Sequence, residues 1–460
     1  MKTVLSIRVW LMSLVLVAGG SKATQAQDPL ERYLAEGLQQ NNVIQQKHIS
    51  LDKALLALQT AKSMYLPVVA FQAAYQTGDG GRDIPLPLGD LLNNVYSTLN
   101  QLTNSQQFPQ LENQSVNFFP RNFYDAKIRT SMPLFNRDIA YNKQISERQV
   151  TLQEYELETY RRELVKDIKT AYFNYLSAMQ LVQIRESALV LAKEGKRVNE
   201  RLLESGKGLP AYVLRADSEI AAAEAQLTKA RQQAMDARLY FNMLLNREGD
   251  AGIDTTFDHH KALNDVQVQL GDRPSPADRE ELKSLREYIS LNETVLKMNK
   301  QFRLPKLNGF VDIGSQAEGF RFNQHSRYYL AGLQLDIPLF SGNRNRLKIK
   351  ETELGLLDAQ LNLEQVQRQL QLSSNVAMNN LRSAWDSYQS SVTQLRAAES
   401  YQRLIERGYQ AGAHTYIETI DARNQLTAAR MATTINSYQV LQAAAGLERE
   451  TAAYIFPINQ

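Results

Sequence analysis

The residues of this chain that could do chemistry are few, and the clearest group lies near its C-terminus. Glu418 and Asp421 are three positions apart in a segment of helical character, and residues at this spacing share one face of a helix. Two carboxylates on one face suit the binding of cations or of basic side chains. His414 lies four positions before Glu418, and we expect neither a catalytic nor a metal-binding role for it.

A second group of titratable side chains, Asp258, His259 and His260, could suggest a metal site. Adjacent histidines point in different directions on any regular element, and no third ligand is obvious. We therefore interpret this segment as a surface linker without a metal. The chain has no cysteine, which excludes disulfides, thiolate metal sites and thiol catalysis. No catalytic constellation and no phosphate-binding loop stands out, so we expect neither an enzyme nor a cofactor.

The N-terminus is typical of a secretory signal peptide, which we assign to residues 1–26. Lys2 and Arg8 precede an apolar run that is too short to span a bilayer, and Ala23 or Ala26 offers a cleavage point. This segment contains three of the 52 basic residues, so the remainder carries 49 basic and 49 acidic side chains. A balance near zero argues against nucleic acid as a partner. The lack of cysteine also excludes lipidation of an N-terminal cysteine.

The same series of features occurs twice, which indicates a tandem duplication. An alternating stretch ends in Pro-Leu-Phe at Pro133–Phe135 and again at Pro338–Phe340. A long helical stretch and a glycine-containing turn follow in both copies. The proline lies 83 positions before Ala216 in the first copy and 84 positions before Ala422 in the second. Repeats are stronger evidence for architecture than local propensity. The nearly equal spacing indicates that the length of the long helix is the same in both copies and matters for function.

Four alternating stretches predict β-strands, two in each copy. Over residues 124–132, for example, Ala126 and Ile128 share one face, whereas Lys127 and Arg129 share the other. An apolar face opposite a charged face suits a wall between lipid and water.

The strand pairs extend over residues 67–134 in the first copy and 305–338 in the second. The first pair encloses an insert at about 78–120 that is rich in Asn, Gln, Ser and Pro. We expect this insert to be a long polar loop outside the cell. Four strands cannot close a membrane barrel, since the smallest barrels have about eight. If these strands enter a membrane, several chains must share one barrel.

The helical segments follow a length rule. The long segments cover about 136–203 and 343–409, and each would span about 100 Å. In each copy two shorter segments together reach nearly the same length, and these are about 29–64, 210–247, 277–302 and 414–453. The pattern favours one long helix packed antiparallel against two shorter helices stacked end to end.

These features predict the organisation of the whole chain. A first structural repeat covers 27–250 and a second covers 277–454. Between them, 251–276 is a linker that could form an equatorial belt around the helices. Residues 455–460 form a short C-terminal tail.

In combination, these motifs resemble the outer membrane efflux protein family, the TolC-like exit ducts of Gram-negative export machines. Leu66-Pro67 and Leu304-Pro305 precede the first strand of each copy, and Pro-Leu-Phe ends the second strand. Residues 409–422, YQAGAHTYIETIDA, are similar to the helical-tip motif of the family. Arg279–Leu282 followed by a helix is similar to the start of the second repeat of the family. The resemblance covers residues 29–454.

The resemblance implies a mostly α-helical fold with a membrane β-barrel. Each chain of a homotrimer would contribute four strands to a shared twelve-stranded barrel in the outer membrane, in contact with its lipid. Long antiparallel helices would form an α-helical barrel across the periplasm.

The implied function is the outer membrane exit duct of a tripartite efflux or secretion system in a Gram-negative bacterium. Such a duct is passive and receives substrate from an inner-membrane transporter and a periplasmic adaptor. The alternative is a soluble periplasmic coiled-coil adaptor or scaffold, which has no reason for four lipid-compatible strands.

The resemblance also implies a gate at the periplasmic mouth. Family members carry acidic side chains there, and the matching positions are Glu418 and Asp421. The alternative is that these two are solvated residues of the helical tip with no role in gating. Ala211 and Tyr212 occupy positions of the first copy where an acidic or hydroxyl partner can occur. The residues expected at this constriction are Glu418, Asp421, His414, Tyr409, Gly412, Gly206 and Arg215.

Overall fold

The computed structural model describes residues 28–117, 119, 121–271 and 279–456. The predicted signal peptide, part of the predicted linker and the last four residues lie outside this part of the chain. By its internal contacts the chain divides into two compact units. Unit 1 comprises the described residues of Met1–Gln46, Glu158–Arg279 and Gln369–Gln460, and unit 2 comprises those of Lys47–Leu157 and Glu280–Arg368.

The described residues contain nine α-helices. They are α1 (Pro29–Gln40), α2 (Asn42–Ser63), α3 (Leu88–Leu102), α4 (Arg137–Glu204), α5 (Pro210–Leu244), α6 (His259–Gln269), α7 (Glu280–Lys300), α8 (Arg344–Gln410) and α9 (Tyr416–Thr451). The prediction of two very long helices is confirmed, since α4 has 68 residues and α8 has 67. Among the described helices, none has the length and apolar character needed to cross a membrane.

The first of the predicted short helices consists of two helices, α1 and α2, because the helical conformation is interrupted at Asn41. This residue has an extended ψ of 125°. Its Oδ1 accepts hydrogen bonds from the backbone N–H groups of Val43 (2.9 Å) and Ile44 (3.3 Å), as the side chain of an N-cap residue does. Its Nδ2 donates to the carbonyl of Leu244 at 3.0 Å. The break is therefore satisfied by one side chain that also ties it to the end of α5.

The core of unit 1 contains an apolar seam along α4. Leu164, Ile168 and Tyr172 follow one another at four-residue intervals and are all buried. The ring of Tyr172 lies 5.7 Å from that of Phe241 on α5. Tyr33 of α1 packs edge-on against the same phenylalanine at 5.1 Å. One stripe of α4 thus joins α1, α4 and α5.

Helix α6 lies inside the segment that the sequence predicted as a linker. Its N-cap is Asp258, whose Oδ1 accepts the backbone N–H of Lys261 at 2.9 Å. Leu263 and Val266 of α6 are buried, and the helix contacts α9. This part of the linker is therefore a packed helix of unit 1.

The four predicted strands form one antiparallel sheet in unit 2, as expected. The described strands are β1 (Val68–Gln76), β2 (Asp83–Leu86), β3 (Gln114–Asn117), β4 (Phe123–Phe135), β5 (Lys306–Glu318) and β6 (Arg327–Asp336). The order in the main sheet is β1-β4-β5-β6, so β1 and β6 are its edges. Strands of both repeats meet where β4 pairs with β5.

The two faces of this sheet differ in polarity, as the alternating pattern predicted. On one face a row of apolar residues crosses all four strands and consists of Phe71, Ile128, Ile313 and Tyr329. These side chains are 72%, 51%, 64% and 83% exposed. On the opposite face, Arg129 donates two hydrogen bonds to Asp312 at 2.7 and 2.6 Å. Charges on that face are paired, whereas the apolar face has no cover within the described chain.

The insert at 78–120 is folded rather than a plain loop. Its strands β2 and β3 pair antiparallel, and α3 lies between them in sequence. Asn93 exchanges two hydrogen bonds with the backbone of Leu111, at 3.0 and 2.8 Å. Asn100 makes the equivalent pair with Phe108, at 2.8 and 3.1 Å. The asparagines that suggested a polar loop therefore attach the chain that follows α3 to that helix.

Candidate functional site at the helical turns

Each repeat has one turn at the end of its long helix, and both turns lie in unit 1. We call residues 199–219 the first tip and residues 405–425 the second tip. Gly206 has a φ of +71° and Gly412 a φ of +78°, a left-handed conformation that costs glycine little. The backbone N–H of the following residue donates back to Leu202 at 2.9 Å and to Gly408 at 2.8 Å. Both long helices thus end in a Schellman motif.

In the second tip, α9 begins with a capping box. The Oγ1 of Thr415 accepts the backbone N–H of Glu418 at 3.3 Å, and the Glu418 carboxylate accepts the backbone N–H of Thr415 at 2.6 Å. Hydrogen bonds from Thr415 lower the pKa of Glu418 below its ordinary value, the backbone N–H having the larger effect and the hydroxyl the smaller. The His414 Nδ1 lies 3.4 Å from the same carboxylate. Glu418 therefore has a local role in starting the helix.

The other predicted carboxylate, Asp421, has a different environment. It is exposed, and its carboxylate accepts one hydrogen bond from the side chain of Gln425 at 2.8 Å. Glu418 and Asp421 lie on the same helix, α9, as predicted. Of the two carboxylates, only that of Asp421 is largely free to bind a group from outside this helix.

In the first tip, α5 begins without a side-chain cap. The N-cap position is Leu209, which makes no capping hydrogen bond, and Pro210 follows at the first helical position. Proline suits this position because its fixed φ is already helical and its missing N–H would have no partner there. Arg215, a predicted site residue, pairs with Glu219 on its own helix at 2.6 Å.

A cluster of tyrosines joins the two tips. Tyr416 is 3% exposed, and its ring centroid lies 5.8 Å from Tyr212 and 6.1 Å from Tyr409. Ala216 and Ile420 complete the cluster. Burial raises the pKa of Tyr416 and of Tyr409. Tyr409, predicted as a gate residue, is thus half-buried against Tyr416, where the second tip meets the first.

Arg423 ties the start of α9 to two long helices. Its Nη2 lies 3.0 Å from the carboxylate of Glu406 on α8. Its Nη1 donates to the carbonyl of Leu191 on α4 at 3.4 Å. Nearby, a Cβ on Gly195 would lie 2.9 Å from the Tyr416 hydroxyl, so the absence of a side chain lets α9 approach α4 closely.

Charges at matching positions of the two tips are opposite in sign. Nine positions after the turn glycine, the first tip has Arg215 and the second has Asp421. Eleven positions after it, the first tip has Asp217 and the second has Arg423. Asp217 pairs with Lys196 of α4 at 2.7 Å, which parallels the pair of Arg423 with Glu406.

Two contacts at the tips were missed by the sequence reasoning. The role of Thr415 had a signal, because Thr415-x-x-Glu418 is the pattern of a capping box. The pair of Arg423 with Glu406 had none, since only the folded turn brings these two residues together.

His259 and His260 lie outside this site. His259 is partly buried with its ring 4.6 Å from that of Tyr438, and burial, followed by the neighbouring His260, lowers its pKa. His260 is exposed. Within the described residues, no group of three or more His, Asp or Glu side chains is placed to hold a metal ion.

Two long helices, a four-stranded sheet with strands from both repeats and two similar helical turns define a duplicated, mostly helical class of protein. The model of the family described as Outer membrane efflux protein matches residues 33–247 and 278–452. The chain therefore belongs to the outer membrane efflux protein family.

Individual relatives are distant but matched over most of their length. The chain is 23% identical to the alkaline protease secretion protein AprF of Pseudomonas aeruginosa, over 82% of this chain and 80% of the relative. It is 21% identical to the outer membrane protein TolC of Escherichia coli, over 93% and 81%. The solved CmeC outer membrane channel of Campylobacter jejuni has the same fold, with a TM-score of 0.72, 13% identity, and 92% and 85% of the two chains covered.

Membership of this family decides between the two functions that the sequence left open. The chain is an outer membrane efflux channel of the tripartite export type, it extends into the periplasm, and it is not an enzyme. The alternative of a soluble periplasmic adaptor is wrong. The family forms trimeric channels that work with export partners.

Proposed function

We propose that three copies of this chain share one twelve-stranded barrel in the outer membrane. The observation that carries this proposal is the pair of free edges, because among the described strands β1 and β6 each have only one neighbour in the four-stranded sheet. Unpaired backbone N–H and C=O groups are not tolerated in lipid. Pairing of β6 from one copy with β1 from the next removes every edge. The exposed apolar row across the sheet then faces lipid, and the face with Arg129 and Asp312 faces the lumen.

A stripe on α8 supports the same assembly. Leu347, Leu354 and Leu361 recur at seven-residue intervals and are 65%, 69% and 57% exposed. Apolar residues at this spacing form the seam between packed helices. A neighbouring copy would cover the stripe and so extend the contact from the barrel into the helices.

The mass of the purified protein in detergent tests this assembly. Native mass measurement should show a trimer, and a stable monomer would contradict the proposal. Replacement of Leu354 and Leu361 by Glu should shift the population towards monomers. The matched control is Gln360→Glu combined with Gln367→Glu, which adds the same two charges at exposed positions beside the stripe but off it, and it should remain trimeric.

We also place the periplasmic gate at the two tips. In a trimer, three first tips and three second tips would surround the mouth, and their opposite charges at Arg215 and Asp421 would allow contact between copies. Glu418, held in its capping box, would set the start of α9, and Asp421 would supply the carboxylate that lines the constriction. Three such carboxylates around one axis repel one another unless cations or arginines neutralise them.

The partners of this gate would be a periplasmic adaptor and an inner-membrane transporter. Both tips offer exposed apolar side chains, with Leu209 at 56%, Leu214 at 71% and Ile417 at 56%. Since the chain has no cysteine, Leu214→Cys gives a single attachment point for a cross-linker. It should capture the adaptor encoded with this channel, whereas Gln360→Cys in α8 should not. Equal yields at both positions would contradict docking at the tips.

A further inference from the structure

A groove at the junction between β6 and α8 contains positive charges that no acidic side chain of the described residues neutralises. The groove holds about 500 Å³ and is lined by Arg303, Arg346 and Lys350 together with Leu339 and Phe340. Within the described residues, the three basic side chains make no hydrogen bond or ion pair. Three neighbouring positive charges without a partner favour an anionic ligand.

The acidic side chain that lines this groove is already part of an ion pair. Glu353, the acidic side chain in the lining of this groove, pairs with Lys300 at 2.9 Å. The matching junction of the first repeat is different, because Asp138 at the start of α4 pairs with Lys306 at 2.5 Å. The first junction therefore contains an ion pair, whereas the three basic side chains of the second have no acidic partner within the described residues.

The same groove presents a large apolar surface. Leu339 and Phe340 lie three and four residues after the end of β6 and are 77% and 79% exposed. Exposed leucine and phenylalanine next to basic side chains are typical of a surface that meets both acyl chains and headgroups. A soluble anion alone would give no reason for these two side chains.

The position of the groove indicates which membrane surface it meets. The channel extends into the periplasm, and in the proposed assembly the strands cross the outer membrane and continue into helices at their periplasmic ends. The turn after β6 therefore lies at the boundary between the periplasmic leaflet and the periplasm. This step rests on the proposed placement of the sheet in the membrane.

We propose that this groove binds the phosphate headgroup of an anionic phospholipid of the periplasmic leaflet. Arg303, Arg346 and Lys350 donate charge-assisted hydrogen bonds to the phosphate oxygens. Leu339 and Phe340 contact the upper part of the acyl chains. One such lipid per chain anchors the start of α8 at the membrane surface.

Native mass spectrometry of the detergent-solubilised protein with added phosphatidylglycerol tests this site. The wild type should bind phosphatidylglycerol more tightly than phosphatidylcholine of the same chain length. Replacement of Arg303, Arg346 and Lys350 by Gln should weaken binding at least about tenfold. The control with the same change of charge is Arg197→Gln, Arg368→Gln and Arg396→Gln on exposed parts of α4 and α8, and it should bind as the wild type does.

Competition with inorganic phosphate distinguishes a lipid site from a phosphate site. Inorganic phosphate at millimolar concentration should not displace the lipid, and displacement would show that the groove recognises phosphate alone. Equal lipid binding by the groove variant and the control would overturn the proposal. The same spectra report the oligomeric state, so a wild type that is monomeric would refute the shared barrel, which is a separate result from loss of lipid.

Discussion

The two tips have the same turn and different helix starts. Gly206 and Gly412 both adopt positive φ values and both close a Schellman motif. After that, α9 is started by the reciprocal hydrogen bonds of Thr415 and Glu418, whereas α5 is started by Pro210 with no side-chain cap. The duplication has therefore kept the backbone and changed the side chains that hold it.

The difference indicates a division of work between the repeats. A proline at the first helical position acts through a fixed φ and has no titratable group. A capping box acts through hydrogen bonds, one of which ends on a carboxylate that protonation would change. The second tip is thus the one whose local stability responds to pH and to nearby charge, and Arg423 adds an ion pair that binds it to α8. We expect the second tip to be the regulated half of the proposed gate.

The largest expected effect on local stability comes from adding a side chain at Gly208 in the first tip. A Cβ on Gly208 would lie 2.6 Å from the backbone N of Leu203 and 2.9 Å from the carbonyl carbon of Leu202. Because backbone cannot move aside as a side chain can, Gly208→Ala should destabilise this turn by about 1–3 kcal/mol. Hydrogen exchange of residues 200–220 measures it. In the comparison variant Gly408→Ala in the second tip, the three atoms nearest to the new carbon all belong to the His414 side chain, so exchange there should rise less.

The next effect tests the capping box. Thr415→Ala removes the side chain that accepts the Glu418 N–H, and loss of such a cap costs about 1 kcal/mol. Amide exchange in the first turn of α9 should therefore accelerate about fivefold at neutral pH. Leu209→Ala at the equivalent position of the first tip removes no hydrogen bond and should leave the first turn of α5 unchanged. Similar acceleration in both variants would refute the distinction between the tips.

A smaller effect on the stability of the start of α9 is expected when the pH is lowered. Glu418 has its pKa lowered from 4.5 by the N–H and hydroxyl of Thr415. Its contribution to stability is therefore complete above pH 4.5 and is lost as the pH falls through the lower pKa of the folded state. Exchange at the start of α9, corrected for its intrinsic pH dependence, should increase below pH 4.5 while that of α5 does not. Glu418→Gln, which keeps a side chain able to cap, should remove this dependence on pH.

The smallest effect concerns the two hairpins. The insert at 78–120 is absent from the second hairpin, and its hydrogen bonds from Asn93 and Asn100 are made within the insert itself. We predict that it lies outside the cell and is dispensable for folding. Shortening it to the length of the second hairpin should leave outer membrane insertion unchanged in fractionation experiments. Loss of insertion would show that it packs as part of the barrel.

Much of the fold was predictable because it repeats simple periods. The seam of α4 follows the helical period, and the alternation of Ile128 with Arg129 follows the strand period, so each pattern specifies its element. The break at Asn41 and the fold of the insert were not predictable in the same way, since they depend on asparagine side chains bonded to distant backbone. Composition alone cannot distinguish such asparagines from those of a loop.

The site was predictable in position but less so in detail. The turn glycines and the two carboxylates were recognised from the motif at residues 409–422. The sequence analysis missed that Glu418 is held by Thr415, although Thr-x-x-Glu is the pattern of a capping box. The sequence did not show that Tyr416 lies buried against Tyr212 and Tyr409. Spacing places two residues on one helix face, but only the folded neighbours decide which of them is free.

Single-channel conductance in planar bilayers tests the central claim most directly. If Asp421 lines the periplasmic constriction, Asp421→Asn should change the conductance and weaken block by divalent cations, because three carboxylates around the axis are lost. Glu418→Gln should have a smaller effect on block, since that carboxylate is bound within its own helix start. Conductance and cation block equal to the wild type in Asp421→Asn, and in Asp421→Asn combined with Glu418→Gln, would contradict the account and place the gate elsewhere.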